Sequence, residues 1–158
     1  MKVWVLAVGR PGPLLRAAIE EYEQRAARYW SLESIEVRAE KAGHGVPDDR
    51  VRSAESARLL ERVSANAELV ALTRTGEPWD SAQLAHHLQD LAVSGRPGIA
   101  FLIGGALGLS AEAVNRASRR LSLSALTLPH ELARLVLTEQ LYRAGTIVRG
   151  EPYHKART

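Results

Sequence analysis

The sequence predicts an α/β fold, a mostly parallel sheet with helices on both faces, and two observations carry that prediction. Short apolar runs bounded by turn residues alternate with longer amphipathic stretches along the whole chain, which is the pattern of strands feeding crossover helices. The chain has 158 residues, 46% of them hydrophobic, which suits one domain with a full core. No internal repeat, low-complexity segment or linker interrupts the alternation, so residues 1–158 read as a single domain.

The elements follow in order. Residues 2–8, KVWVLAV, form a continuous apolar run of the kind a buried strand shows, and residues 14–28 carry apolar side chains at helical spacing. A second strand is expected over 32–37, then a polar, glycine-bearing loop over 40–49 and a helix over 50–63. Residues 68–73 are a third strand, TRTGEP reads as a turn, and Ser81 is placed to cap a helix running to about Val93. Residues 99–103 are a fourth strand, and Ser110 caps a short helix whose first turn holds Glu112, a favourable place for an acidic group. Residues 121–126 are expected to be extended. Pro129 then opens the final helix, since proline suits a first turn and biases Leu128 to an extended backbone.

Composition removes several chemistries. With no cysteine there is no disulfide, thiolate metal site or cysteine nucleophile, which fits a reducing compartment. The opening MKVWVLAVGR lacks a signal-like cleavage site and no apolar run approaches about 18 residues, so a cytoplasmic protein with no membrane partner is expected. Residues 1–115 hold 13 basic and 15 acidic groups, whereas residues 116–158 hold 8 and 3. An arginine-rich, positive end suits a polyanionic partner; a genome that writes arginine in place of lysine gives the same pattern.

Ligands of open α/β sheets collect beyond the carboxyl ends of the strands, where three loops are candidates: VGRPG, LTRTGEP and IGGALG. The third is the most specific. Gly104 and Gly105 directly follow a buried strand and Gly108 comes three further on, so backbone can approach a ligand with no Cβ in the way, or can simply make a tight turn. It matches neither the dinucleotide fingerprint nor a P-loop. VGRPG reads as a turn before the first helix.

The final helix is apolar nearly all round. Glu139 and Arg143 share a face with Leu132 and Val136, while Leu135, Leu137, Leu141 and Ile147 fill most of the rest, and Arg134 and Thr138 project from the opposite side. Such a helix must be covered on several sides, in part by a second subunit. His130 precedes this helix and His154 lies in a terminal Pro-Tyr-His-Lys; His44, His86 and His87 suggest no site. No cluster has metal-ligand spacing, so no metal is expected.

The series IGGALG, LSLSALTLPHELAR, EQLYRA and GEPYHK, with VWVLAVGR at the start, resembles the bacterial RlmH family, ribosomal RNA methyltransferases of the SPOUT superfamily. The likeness spans essentially the whole chain. It implies a SPOUT-type α/β knot in which the C-terminal segment threads a loop to form a trefoil knot, an outcome that general topology rules disfavour. It also implies transfer of the methyl group of S-adenosylmethionine to N3 of pseudouridine 1915 in 23S rRNA, on assembled ribosomes, by a homodimer. The cofactor contacts implied are Leu72, Gly104 and Gly105, and the run Leu123, Ser124, Ala125, Leu126, Thr127 and Leu128. Aliphatic and glycine positions suit adenine, which can be held by backbone groups between apolar walls.

Within that resemblance His154 is the first candidate for a base or orienting group, and Arg143 for stabilising a developing anion or contacting phosphate. Tyr142 and Tyr153 are available to stack on or hydrogen-bond the target base, and Arg143, Tyr153, His154 and Lys155 form the implied RNA contact. Two departures stand out. Thr73 follows Leu72 where an acidic residue is frequent in the family, and Ala156, Arg157 and Thr158 extend past the terminal Tyr-His-Lys. Two other functions are compatible with the same residues: a noncatalytic ribosome-binding or assembly protein, and a SPOUT methyltransferase acting on transfer RNA.

Overall fold

A computed structural model describes residues 1–155, so the Ala156–Arg157–Thr158 extension lies outside the described residues. Strand β1 (Lys2–Val8) is followed by α1 (Pro13–Ala26), β2 (Ser31–Val37), α2 (Asp48–Leu60), β3 (Glu68–Pro78), α3 (Ser81–Val93), β4 (Gly98–Ile103), α4 (Ala111–Arg116), β5 (Arg119–Ser122) and α5 (His130–Val148). A 3-10 turn, Pro152–Lys155, comes last.

The five strands pair in parallel in the order β2-β1-β4-β3-β5. β1 and β4 lie inside the sheet, and this explains their unbroken apolar runs: each presents side chains to a core on both faces. One core joins Val3, Val5, Ile99 and Phe101 to Leu84 and Leu88 of α3 and Leu137 and Leu141 of α5. The opposite core joins Trp4, Leu6, Ala100 and Leu102 to Leu59 of α2 and Ala113 of α4. Each fully buried Leu, Ile or Phe contributes about 1.5–3 kcal/mol of apolar transfer. The expected α/β architecture is therefore the one found.

Three local expectations are corrected. TRTGEP is not a turn, because β3 runs on to Pro78 and pairs with β5 through a register shift between Leu72 and Glu77. Gly76 permits this: a Cβ there would lie 2.7 Å from the Arg120 carbonyl carbon, a contact only a bare backbone escapes. Asp80, rather than Ser81, caps α3, accepting from the Gln83 amide at 2.7 Å while the Gln83 side chain accepts from the Asp80 amide at 2.8 Å. Chain that was expected to be extended to residue 126 leaves the sheet at Ser122. There the Ser122 hydroxyl bonds the Arg74 and Ser124 carbonyls at 3.0 and 2.9 Å and turns the backbone.

Helix α5 positions everything that follows. Arg134 and Thr138 point inward and are buried, and the Arg134 guanidinium bridges Glu23 of α1 at 2.9 Å and Glu36 of β2 at 3.1 Å. Gly145 lets Tyr29 press against the helix, since a Cβ at 145 would lie 2.3 Å from the Tyr29 ring. No helix among the described residues is long and apolar enough to cross a membrane.

Candidate active site

Beside the middle of β3 and beyond the carboxyl ends of β4 and β5 the chain forms a cavity of about 400 Å³. Its walls come from three segments: Leu72, Thr73 and Arg74 of β3; Gly105 to Gly108 after β4; and Leu123, Ser124, Leu126, Thr127 and Leu128 after β5, with Ala133 of α5 behind them. Three distant stretches meet because β4, β3 and β5, which carry or precede them, are neighbours in the sheet. Apolar side chains dominate, and Thr73 contributes a buried Oγ1 with no hydrogen-bond partner among the described residues.

The glycine loop is held from behind. Gly108 has φ +84°, a left-handed conformation that side-chain-bearing residues resist. A Cβ on Gly104 would lie 2.5 Å from the Gly108 carbonyl carbon, so the loop folds tightly on itself only with glycine there. Helix α2 braces it: Arg52 reaches the Leu107 carbonyl at 3.5 Å, the Ser56 hydroxyl accepts the Ser110 amide at 2.9 Å, and the buried Glu55 carboxylate lies beside Gly105. On the other wall the Ser124 hydroxyl accepts the Leu126 amide at 2.9 Å, setting the bend that faces the glycines.

Of the residues singled out for a cofactor, Leu72, Gly105, Leu123, Ser124, Leu126, Thr127 and Leu128 line this one cavity. Gly104 packs beneath the loop and Ala125 is exposed, so neither is part of the lining. Sequence reading missed Arg74, Ala133 and the brace from α2. Arginine, glutamate and serine at i, i+3 and i+4 on an otherwise polar helix carry no signal until the loop they touch is known.

A second cluster forms on the C-terminal half of α5. Arg143 donates to Glu139 through Nε at 3.1 Å and Nη2 at 2.6 Å, and its guanidinium lies 4.9 Å from the Tyr153 ring centre. The Tyr153 hydroxyl donates to the same Glu139 oxygen at 3.0 Å, and the Tyr142 and Tyr153 rings are 4.5 Å apart. The Glu139 hydrogen bond raises the pKa of Arg143, while burial first, then hydrogen bonds to Tyr22 and Glu139, raise that of Tyr153. His154 is half-buried with an unpartnered Nδ1, and Lys155 is exposed. Arg143 and Tyr153, with the adjacent His154, are thus brought together, but not at the cavity. Ten residues separate Ala133 from Arg143 along α5, roughly 15 Å of helix. Among the described residues no group of three or more His, Cys, Asp or Glu could hold a metal ion.

Comparison with known proteins agrees with this architecture. A family model described as "Predicted SPOUT methyltransferase" matches residues 1–154. The chain is 53% identical over 156 residues to the Ribosomal RNA large subunit methyltransferase H of Gemmatimonas aurantiaca, covering 98% of this chain and 100% of that protein. It is 42% identical over 159 residues to the protein of the same name from Shouchella clausii, again covering 98% and 100%. A crystal structure of a probable methyltransferase from Bordetella pertussis shares the fold, with a TM-score of 0.54 and 17% identity over 90% of this chain and 95% of that one. With a family model matching residues 1–154 and relatives 53% and 42% identical over 98% of its length, the chain belongs to the SPOUT methyltransferase family.

Proposed function

We propose that this protein methylates N3 of pseudouridine 1915 in 23S rRNA, using S-adenosylmethionine, on assembled ribosomes in the cytoplasm. The observation that carries the reading is the cavity of about 400 Å³ built from Leu72, the glycine loop and residues 123–128, in a chain 53% identical over its length to a ribosomal RNA large subunit methyltransferase.

The lining fits the cofactor on its own chemistry. Leu72, Leu107, Leu123, Leu126 and Leu128 supply apolar walls for a purine, the glycines at 105 and 108 bring bare backbone to the surface, and Thr73 offers a buried hydroxyl with no other partner. Bound there, S-adenosylmethionine supplies a methyl group already activated by a positively charged sulfur.

The rest of the work falls to the chain's own side chains. N3 of pseudouridine carries an imide proton that must depart, so a base or a cation near it lowers the barrier. His154, whose Nδ1 has no partner, is assigned the role of accepting or orienting that proton. Arg143 keeps its positive charge, fixed in direction by Glu139 and Tyr153, and is assigned to the developing negative charge or to a flanking phosphate. Tyr153 and Lys155 complete the RNA contact.

This cluster and the cavity stand at different ends of α5, which favours a homodimer in which one protomer's tail meets its partner's cavity. Leu14, Leu126 and Leu132 leave apolar surface exposed around the start of α5, as a covered interface requires.

The test is mass spectrometry of 23S rRNA from cells lacking the gene, where loss of the methyl group at that pseudouridine is expected and an unchanged modification refutes the reading. A noncatalytic ribosome-binding role predicts no stabilisation by S-adenosylmethionine, whereas saturation at about 100 times Kd stabilises a true binder by about 2.7 kcal/mol. His154→Ala and Arg143→Ala should each slow single-turnover methylation at saturating ribosome; near-normal rates in either remove that residue from its role.

A further inference from the structure

Among the described residues Glu55 is the one buried carboxylate beside the cavity that the proposed reaction does not use. The residue is 4% exposed. One of its oxygens accepts the Glu40 amide at 3.1 Å, and the other, Oε1, has no hydrogen-bond partner. Oε1 lies 2.9 Å from where a Cβ on Gly105 would stand, and Gly105 is part of the cavity lining. The arginines three residues away on either side of it in α2 are engaged elsewhere: Arg52 with Asp49, and Arg58 with Glu40. Glu55 has no ion-pair partner among the described residues. A buried carboxyl oxygen without a hydrogen-bond partner is costly, and apolar packing alone would favour a leucine at this place.

The carboxylate sits one glycine away from the cavity that the proposed reading gives to S-adenosylmethionine and its sulfur. Before methyl transfer that sulfur is a cation; afterwards it is a neutral thioether. We propose that Glu55 is a specificity-determining residue of the cavity, its uncompensated carboxylate favouring S-adenosylmethionine over S-adenosylhomocysteine and so easing release of the product. The inference rests on the proposed reading of the cavity as the cofactor site. Glu55 acts through the field it sets up behind the loop and touches neither ligand, and the missing Cβ of Gly105 keeps the intervening layer thin.

Calorimetric titration of both ligands into wild type and Glu55→Gln tests this. Glutamine keeps the volume and the acceptor for the Glu40 amide but removes the charge. The expected result is a loss of roughly tenfold in affinity for S-adenosylmethionine, about 1.4 kcal/mol, with affinity for S-adenosylhomocysteine changed less than about twofold. Glu55→Asp, which keeps the charge, should retain the wild-type ratio. A purely structural Glu55 lowers both affinities together in Glu55→Gln and overturns the proposal, as does an unchanged ratio. If Glu55→Gln fails to fold, wild type decides. The analogue that carries an amine-bearing carbon in place of the sulfur must bind more tightly than the thioether, and equal or weaker binding overturns the proposal. Wild type that binds none of these ligands refutes the cofactor reading itself, a result distinct from binding that ignores charge.

Discussion

Gly145 offers a test in which two physical effects oppose each other and the structure decides between them. Replacing a glycine inside a helix by alanine ordinarily stabilises by about 1 kcal/mol, because alanine has less backbone freedom to lose. Here the new Cβ would stand 2.3 Å from Cγ, 2.6 Å from Cβ and 2.7 Å from Cδ2 of Tyr29, well inside the roughly 3.5–4.0 Å of favourable carbon contacts. Tyr29 cannot swing away freely, since its hydroxyl bonds Glu151, its ring stacks on Tyr142 at 5.9 Å, and Arg149 lies over it at 4.7 Å. Overpacking of this kind costs up to about 3 kcal/mol, which outweighs the propensity gain and leaves Gly145→Ala less stable by about 2 kcal/mol. For a domain of this size that is a fall in Tm of roughly 4–8 °C. Thermal unfolding at fixed protein concentration measures it, with Tyr29→Ala and the double variant completing a cycle. The two substitutions should couple, the alanine at 145 costing little once the ring is gone. A higher Tm for Gly145→Ala, or strict additivity in the cycle, would refute the reasoning.

Arg134→Met leaves Glu23 and Glu36 without their shared guanidinium and should destabilise by about 2 kcal/mol in chemical denaturation, since the half-buried Glu23 loses a charge-assisted hydrogen bond; Glu23→Gln in the same background should recover part of the loss. Gly104→Ala drives a Cβ to 2.5 Å from the Gly108 backbone, so S-adenosylmethionine affinity in calorimetry should fall at least tenfold, about 1.4 kcal/mol, and unchanged affinity would separate the loop's shape from ligand binding. The Tyr29 phenol is raised to about 12, first by its hydrogen bond to Glu151 and then by burial. Its folded-state value thus exceeds the roughly 10 of an unfolded chain, and the stability this gives is complete below about pH 10 and lost as pH rises towards about 12. Denaturant midpoints across that window should fall less steeply for Tyr29→Phe than for wild type.

The alternation of KVWVLAV, ELVALT and GIAFLI with amphipathic stretches was legible because strands buried on both faces have no alternative to continuous apolar residues. Ser110 as a cap and the glycines after β4 were legible for the same local reason: capping and tight turns are decided by residue type within a few positions. TRTGEP was not. Its turn-forming residues lost to pairing with β5, a strand more than forty residues further on, and only that partner makes the bare backbone of Gly76 a requirement. Arg134 was assigned a face by its wheel position, but the carboxylates that allow its burial belong to α1 and β2.

The sequence by itself determined the class of fold, the family pattern and the segments that form the cavity, because each of these is written in local composition and spacing. Tertiary structure decided which of those segments share a space. It joined Leu72, the glycine loop and residues 123–128 along adjacent strands, placed Glu55 behind Gly105, and set Arg143 and His154 toward the other end of α5 from the cavity. Strand order is fixed by which apolar surfaces bury one another best across the whole chain, and no short stretch of residues contains that sum.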